Sequence, residues 1–165
     1  MIIGHIGSYD RNLGDNIAIL NVRNEFEKQI NFSELNWVDI DIGTVFWNNQ
    51  NSEEFVINLF KENNFDAVVI GGGGLIEFAG YDHHQTKYKL PFNKKILKSI
   101  KCPTFFVGLG INYFRGMEGA SKESIQALHE TIEYSTCFSL RNDGSINILK
   151  DLGIYQNKVR EIPDP

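Results

Sequence analysis

Three features of the sequence predict an α/β domain of three layers, with a mainly parallel sheet between helices. Short apolar runs alternate with segments of helical period along the chain. Those runs are nearly unbroken, as strands covered on both faces require, rather than apolar at every second residue. They also give way repeatedly to glycine, amides and charge, which is the composition expected where an open parallel sheet meets its ligand.

The elements follow in order. Residues 1–7, MIIGHIG, form a short apolar run ending in glycine and read as a buried first strand. From Gly14 onward Ile19, Val22, Phe26 and Ile30 keep a helical period. LNWVDIDIG (35–43) reads as a second strand. SEEFVINLFKENN (52–64) has Ser52 as its candidate N-cap, two acidic residues in the first turn, and Val56, Leu59 and Phe60 on one face. FDAVVIGGGG (65–74) is a third strand, and the glycine run is expected just beyond its end, because strands avoid glycine. A long polar and aromatic stretch, 77–92, has the composition of a functional loop. FNKKILKSIK (92–101) suggests a basic helix, PTFFVGLGIN (103–112) a fourth strand, and SKESIQALHETIEYS (121–135) a helix. TCFSLR (136–141) is a fifth strand, DGSINILKDLG (143–153) a helix with a glycine stop, and KVREIPDP (158–165) a sixth strand.

Composition narrows the function. A chain of 165 residues, 42% hydrophobic and 22% charged, is most simply one domain with an ordinary core. The net charge of −5 argues against a general nucleic-acid binder. No apolar run approaches the ~18 residues that span a bilayer, and MIIGHIGSYD lacks the basic start of a signal peptide. Cys102 and Cys137 lack the spacing of a redox or zinc motif. A cytoplasmic protein with two free thiols is the expectation; a disulfide remains the alternative.

The candidate site comes from the segments at the strand ends. These are GSYDRNLGD after the first strand, GGGGLIEF at the third, GLGINYFRG at the fourth and SLRNDGS at the fifth. Gly71 to Gly74 are expected to form one wall of a cleft, where bare amides meet an anion or a sugar hydroxyl; the alternative is a tight strand-to-helix turn. The pattern is neither GxGxxG nor GxxxxGK[ST], so neither a dinucleotide fingerprint nor a P-loop is supported. Arg141 stands at a strand end just before a helix start and is the leading cation for an anionic ligand, with a structural salt bridge as the alternative. Asp15 can orient or deprotonate a hydroxyl, or serve as a helix N-cap. Asn12 and Asn112 can each donate to and accept from a sugar, or shape a turn. Gly7, Gly14, Gly72, Gly73 and Gly74 complete the expected binding surface.

Taken in order, GSYDRNLGDNIAI, VVIGGGGLI, FFVGLGIN and FSLRNDGSINILKDLGI with VREIPDP resemble the polysaccharide pyruvyl transferase family. That resemblance implies transfer of the enolpyruvyl unit of phosphoenolpyruvate onto a sugar, usually as a pyruvate ketal on a cell-surface or exopolysaccharide precursor. It implies a two-domain arrangement resembling GT-B glycosyltransferases, with residues 1–165 as the amino-terminal, Rossmann-like half and a carboxy-terminal domain as its partner. No cofactor is implied beyond phosphoenolpyruvate as donor. The acceptor would be a saccharide, lipid- or nucleotide-linked, and exposed strand ends would leave homo-oligomers open. Asn142 departs from the pattern, because an acidic residue is frequent there.

Other residues carry weaker signals. His83 and His84 are adjacent in a loop and do not naturally face one metal, so no metal site is expected. His5 lies inside the first strand and reads as a core histidine with its hydrogen bonds satisfied. Glu77, Phe78 and Tyr81 could line a saccharide groove. The competing function is a nucleotide- or sugar-binding module without catalysis, for which Asp39 or Asp41 at the second strand would grip a ribose.

Overall fold

The structure is a computed structural model that describes residues 1–9, 11–30, 35–43, 52–81, 84–112 and 119–165, with Ser52 described by its backbone alone. The elements run β1 (Ile2–Gly7), α1 (Leu13–Gln29), β2 (Asn36–Asp41), α2 (Ser52–Asn63), β3 (Ala67–Glu77), α3 (Lys94–Ser99), β4 (Thr104–Asn112), α4 (Lys122–Tyr134), β5 (Cys137–Arg141), α5 (Ser145–Asp151) and β6 (Val159–Ile162). Every strand pair is parallel, and the order across the sheet is β2-β1-β3-β4-β5-β6. This is the Rossmann-like three-layer arrangement that the alternating runs predict.

Local chemistry explains the helix boundaries. Asn12 is the N-cap of α1: its Oδ1 accepts from the Asp15 amide at 2.8 Å. Asn93 caps α3 and Ser121 caps α4 in the same manner, through the amides of Ile96 and Ser124. Each such cap is worth about 1 kcal/mol against alanine. The stop of α5 is Gly153, at φ 71°, with its amide donating to the Lys150 carbonyl. Pro163 and Pro165 follow β6, which is shorter than the expected 158–165.

The two faces of the sheet are unequally covered. The chain leaves β1 toward β2 in one direction and then crosses to β3, β4, β5 and β6 in the other. Right-handed crossovers therefore put α1 on one face and the later helices on the opposite face. Packing agrees. Ile6, Val68, Ile70, Phe106 and Phe138 join Val56, Phe60, Ile96, Leu128, Ile132 and Leu149 of α2 to α5 in the main core. Ile3, Ala67 and Val69 pack instead on Val22 of α1, with Phe26, Trp37, Phe105 and Val107 around them.

Two expectations change. The stretch 77–92 reads as a polar functional loop, and beyond Glu77 its described residues form no helix or strand, but their packing is less polar than expected. Tyr88, Leu90 and Phe92 are fully buried, and the Tyr88 hydroxyl meets Thr131 Oγ1 at 2.9 Å. Its alternating aromatic and apolar residues pack as a strap under α4 rather than facing solvent. The glycine run is also not beyond β3 but inside it. Gly72 and Gly73 hold φ of 83° and 133°, and the pairing with β4 shifts register between Gly73 and Ile76. Glycine is tolerated in this strand because the strand is bulged there and another element lies against it.

Candidate functional site at the carboxyl edge of the sheet

The order in which strands are added reverses between β1 and β3, and the crevice at such a switch point is where open α/β sheets bind ligands. Gly7 ends β1 there, close to the Gly71 carbonyl. α1 starts directly above. A Cβ on Gly72 would lie 2.8 Å from the Ile19 amide nitrogen, so only glycine admits this approach of helix to strand. A Cβ on Gly73 would collide with the Asp15 carboxylate. The glycines are needed first for packing, and that packing holds Asp15 against the bulge.

Asp15 is not the N-cap. Asn12 holds that position, and Asp15 is the third helical residue of a reciprocal box, in which Asn12 Nδ2 donates to Asp15 Oδ2 at 2.7 Å. Asp15 is half-buried, while Asn12 and Gly14 are exposed on the rim. One strand further on, Asn112 Nδ2 donates to the Gly74 carbonyl at 2.8 Å, and its amide fills the space that a Cβ on Gly74 would need. Lys89 Nζ reaches the same carbonyl at 3.3 Å and Glu77 at 3.4 Å.

Arg141 lies across Gly110, where a Cβ would come within 2.5 Å of its Nε. Nε donates to Asp143 at 2.5 Å, and Nη1 is 3.7 Å from Asp164. Asp143 also accepts from the Ser145 amide at 3.0 Å, so the start of α5 is already satisfied by a carboxylate rather than open to an outside anion. Burial opposes ionisation of Asp143. The hydrogen bonds from Ser145 and Arg141 outweigh it and hold the carboxyl below the usual range. Arg141 is thus a paired cation with its guanidinium at the edge, as its structural alternative required. On the far side of β1, Arg11 Nη2 donates to Asp41 at 3.2 Å, and Asp41 also accepts from the Tyr9 amide. Asp39 is paired with Arg23. The two aspartates expected to grip a ribose therefore each have a basic partner.

The structure brings Gly7, Asn12, Gly14, Asp15, Gly72 and Gly73 together at the crevice, and Gly74, Asn112 and Arg141 along the neighbouring strand ends. Arg11, Lys89 and Asp143 are additional charged groups of this edge. Arg11 and Asp143 stand in the quoted strand-end segments. Lys89 has no local signal, because the strap returns it to β3 from a distance in sequence. Tyr113 to Gly116, part of the fourth strand-end segment, and His83 lie outside the described residues, as does the side chain of Ser52. Among the described residues no group of three metal-binding side chains forms. His84 is buried and its Nδ1 faces the Tyr88 carbonyl at 3.0 Å.

Beneath the crevice sits His5, fully buried. Arg23 Nε donates to its Nδ1 at 3.0 Å, which leaves the proton on Nε2. Nε2 has no hydrogen-bond partner of normal geometry, although the Gly71 carbonyl lies on its side. His5 is therefore a core histidine only half satisfied. Burial, and then the Arg23 charge, push it down from 6.5 to about 3. The folded value lies below the unfolded one, so the unfolded chain binds the extra proton between the two and stability falls as pH drops through that window. Between about pH 7 and about pH 4.5 the loss from this group is about 2–3 kcal/mol. Urea denaturation should show His5→Gln losing less stability over that range than the parent; equal losses would assign the acid sensitivity elsewhere.

No helix among the described residues is long and apolar enough to cross a membrane. No curated protein and no solved structure matched the chain. The sequence profile of the polysaccharide pyruvyl transferase family matches residues 11–165. That span includes α1 with its cap, the glycine bulge of β3, the β4 edge and Arg141, and the chain belongs to the polysaccharide pyruvyl transferase family.

Proposed function

We propose that this chain carries the donor- and acceptor-facing wall of an enzyme that moves the pyruvyl unit of phosphoenolpyruvate onto a sugar of a cell-surface or exopolysaccharide precursor. The family match carries the reading; the strand-end cluster at the crevice is consistent with it. Forming a ketal requires a proton on the methylene carbon of the donor, two bonds from sugar hydroxyl oxygens to its central carbon, and departure of phosphate with the second hydroxyl proton. The donor brings a carboxylate and a phosphate. Arg141 is the cation proposed for them, with its edge-facing guanidinium exchanging Asp143 or Asp164 for the ligand. Asp15, fixed by Asn12 over the glycine bulge, is proposed to accept from a sugar hydroxyl, and Asn112 to bind another.

The same reading takes residues 1–165 as one half of a two-domain, GT-B-like transferase working in the cytoplasm, with the facing half supplying the rest of the site. Removing that half should remove most transition-state stabilisation and leave weak binding. The test is phosphate release from phosphoenolpyruvate with a panel of saccharide acceptors, beside thermal shifts with phosphoenolpyruvate, a nucleotide sugar and NAD. The expected result is a shift with phosphoenolpyruvate and no turnover by the isolated chain. Robust turnover would overturn the half-enzyme reading. A shift with the nucleotide sugar or NAD alone would favour a nucleotide-binding module.

A further inference from the structure

The residues that end β3 and β4, Glu77 and Asn112, stand opposite each other in register. Neighbouring strands lie about 4.8 Å apart, a spacing that two hydroxyls of one sugar ring can bridge. What each end presents is fixed by its other contacts. Asn112 commits Nδ2 to the Gly74 carbonyl, so its remaining end, Oδ1, is an acceptor. Glu77 has two donors on Oε2, Lys89 Nζ at 3.4 Å and the Tyr81 hydroxyl at 3.3 Å. Burial, and then the Glu77 charge, hold that hydroxyl above its ordinary range, so it stays a donor. Among the described residues Oε1 takes no hydrogen bond, and the Glu77 side chain keeps 18% of its surface exposed.

A purely structural use of the Lys89–Glu77 pair is to anchor the strap. The strap is already held, because the Lys89 amide donates to the Glu77 carbonyl at 2.8 Å and Tyr88, Leu90 and Phe92 are fully buried. An ion pair largely removed from water adds little net stability, since desolvation offsets the attraction. What the pair does supply is a fixed, ionised carboxylate at the strand end. Phe78 turns into the core and takes no part. On the same edge Asn112 lies over Gly74, and two residues earlier in β4 Arg141 lies over Gly110. The edge is therefore graded, with a cation from β5, an amide from β4 and a carboxylate from β3. The acceptor oxygens of Glu77 and Asn112 repel an anion and match a neutral ring that carries hydroxyls.

We propose that Glu77 is a specificity-determining residue for the sugar acceptor, its Oε1 accepting from a hydroxyl next to the one bound by Asn112. Lys89 positions it, and the donor anion stays at the Arg141 end. The acceptor then carries neighbouring free hydroxyls at this end, and one with a carboxylate or phosphate there is excluded by charge. The proposal deepens the transfer reading and rests on it.

The test is titration of the isotope-labelled chain, followed by its amide NMR signals, with methyl glycosides of the common hexoses and separately with phosphoenolpyruvate. Glu77→Gln replaces a charged acceptor by a neutral one of the same size. The dissociation constant of the best-bound glycoside should rise about 10-fold while that of phosphoenolpyruvate stays unchanged. Glu77→Asp keeps the charge but withdraws the carboxylate by one methylene, so it should weaken the glycoside in the same way, and it decides should Glu77→Gln fail to fold. Equal effects on both ligands, none included, overturn the proposal, as does a parent chain that binds no glycoside. A missing phosphoenolpyruvate response with the glycoside difference intact counts against the transfer reading alone.

Discussion

Arg141→Ala is expected to lower turnover of the active enzyme by about 100-fold or more, while costing only about 1 kcal/mol of stability. The first figure is the typical loss when one preorganised charge or donor is removed from a reacting anion. The second follows from the position of the residue. Its side chain is 24% exposed and its partners Asp143 and Asp164 are more exposed still, so the ion pairs are partly screened. Arg141→Lys should recover part of the activity, since an ammonium restores charge but not the planar fork across Gly110. Asp143→Asn separates the two roles open to this arginine. It weakens the pair while leaving the guanidinium, so it should keep activity if Arg141 binds the donor. If Arg141 only orders the start of α5 through Asp143, Asp143→Asn should be as damaging as Arg141→Ala. Steady-state kinetics with circular dichroism checks this, and full activity in Arg141→Ala would remove the residue from the site.

Gly72→Ala is expected to be strongly damaging. Two penalties add there. A left-handed conformation at φ 83° costs a side-chain-bearing residue about 1–2 kcal/mol. The new Cβ would also stand 2.8 Å from the Ile19 nitrogen and 3.0 Å from its Cα, which are helix backbone and cannot rotate away. Gly80→Ala is the control. Gly80 has nearly the same φ, 82°, but nothing lies within 4 Å of its Cβ position. The difference between the two measures the close approach alone. Gly72→Ala should lose at least about 2 kcal/mol more than Gly80→Ala in urea denaturation, in the range of overpacked cores. Equal losses would mean that α1 does not press on the strand. Because α1 carries Asp15 and Asn12, a folded Gly72→Ala chain should also bind phosphoenolpyruvate and sugars more weakly.

The fold was legible because each element depends on near neighbours. Apolar runs such as VVI and FFV between segments of helical period read as strands of a covered sheet, and the periods of α1 and α4 show in single segments. Strand-end segments rich in glycine and amides were enough to locate the crevice, because a parallel sheet puts all strand ends of one kind on one edge. The family was legible from the same segments.

What the sequence by itself determined was therefore the layer order, the edge on which the strand-end segments gather and the residue types along it. Those follow from period, run length and chain direction. Only tertiary structure decided where each group's partner lies. Glycine's low strand propensity put Gly71 to Gly74 after β3, but pairing with β4 places them inside it, with α1 packed against Gly72 and Gly73. Local polarity made 77–92 a loop, which it is beyond Glu77, but only burial of Tyr88, Leu90 and Phe92 fixes its course and delivers Lys89 to Gly74. Asp143 claims the start of α5 and half of Arg141, and Arg23 satisfies only the Nδ1 of His5. That α1 is the one helix on its face among the described residues is likewise a property of strand order, since it arises when successive crossovers all turn to the same side. Pairings between residues distant in sequence depend on three-dimensional separation, and no local period encodes that.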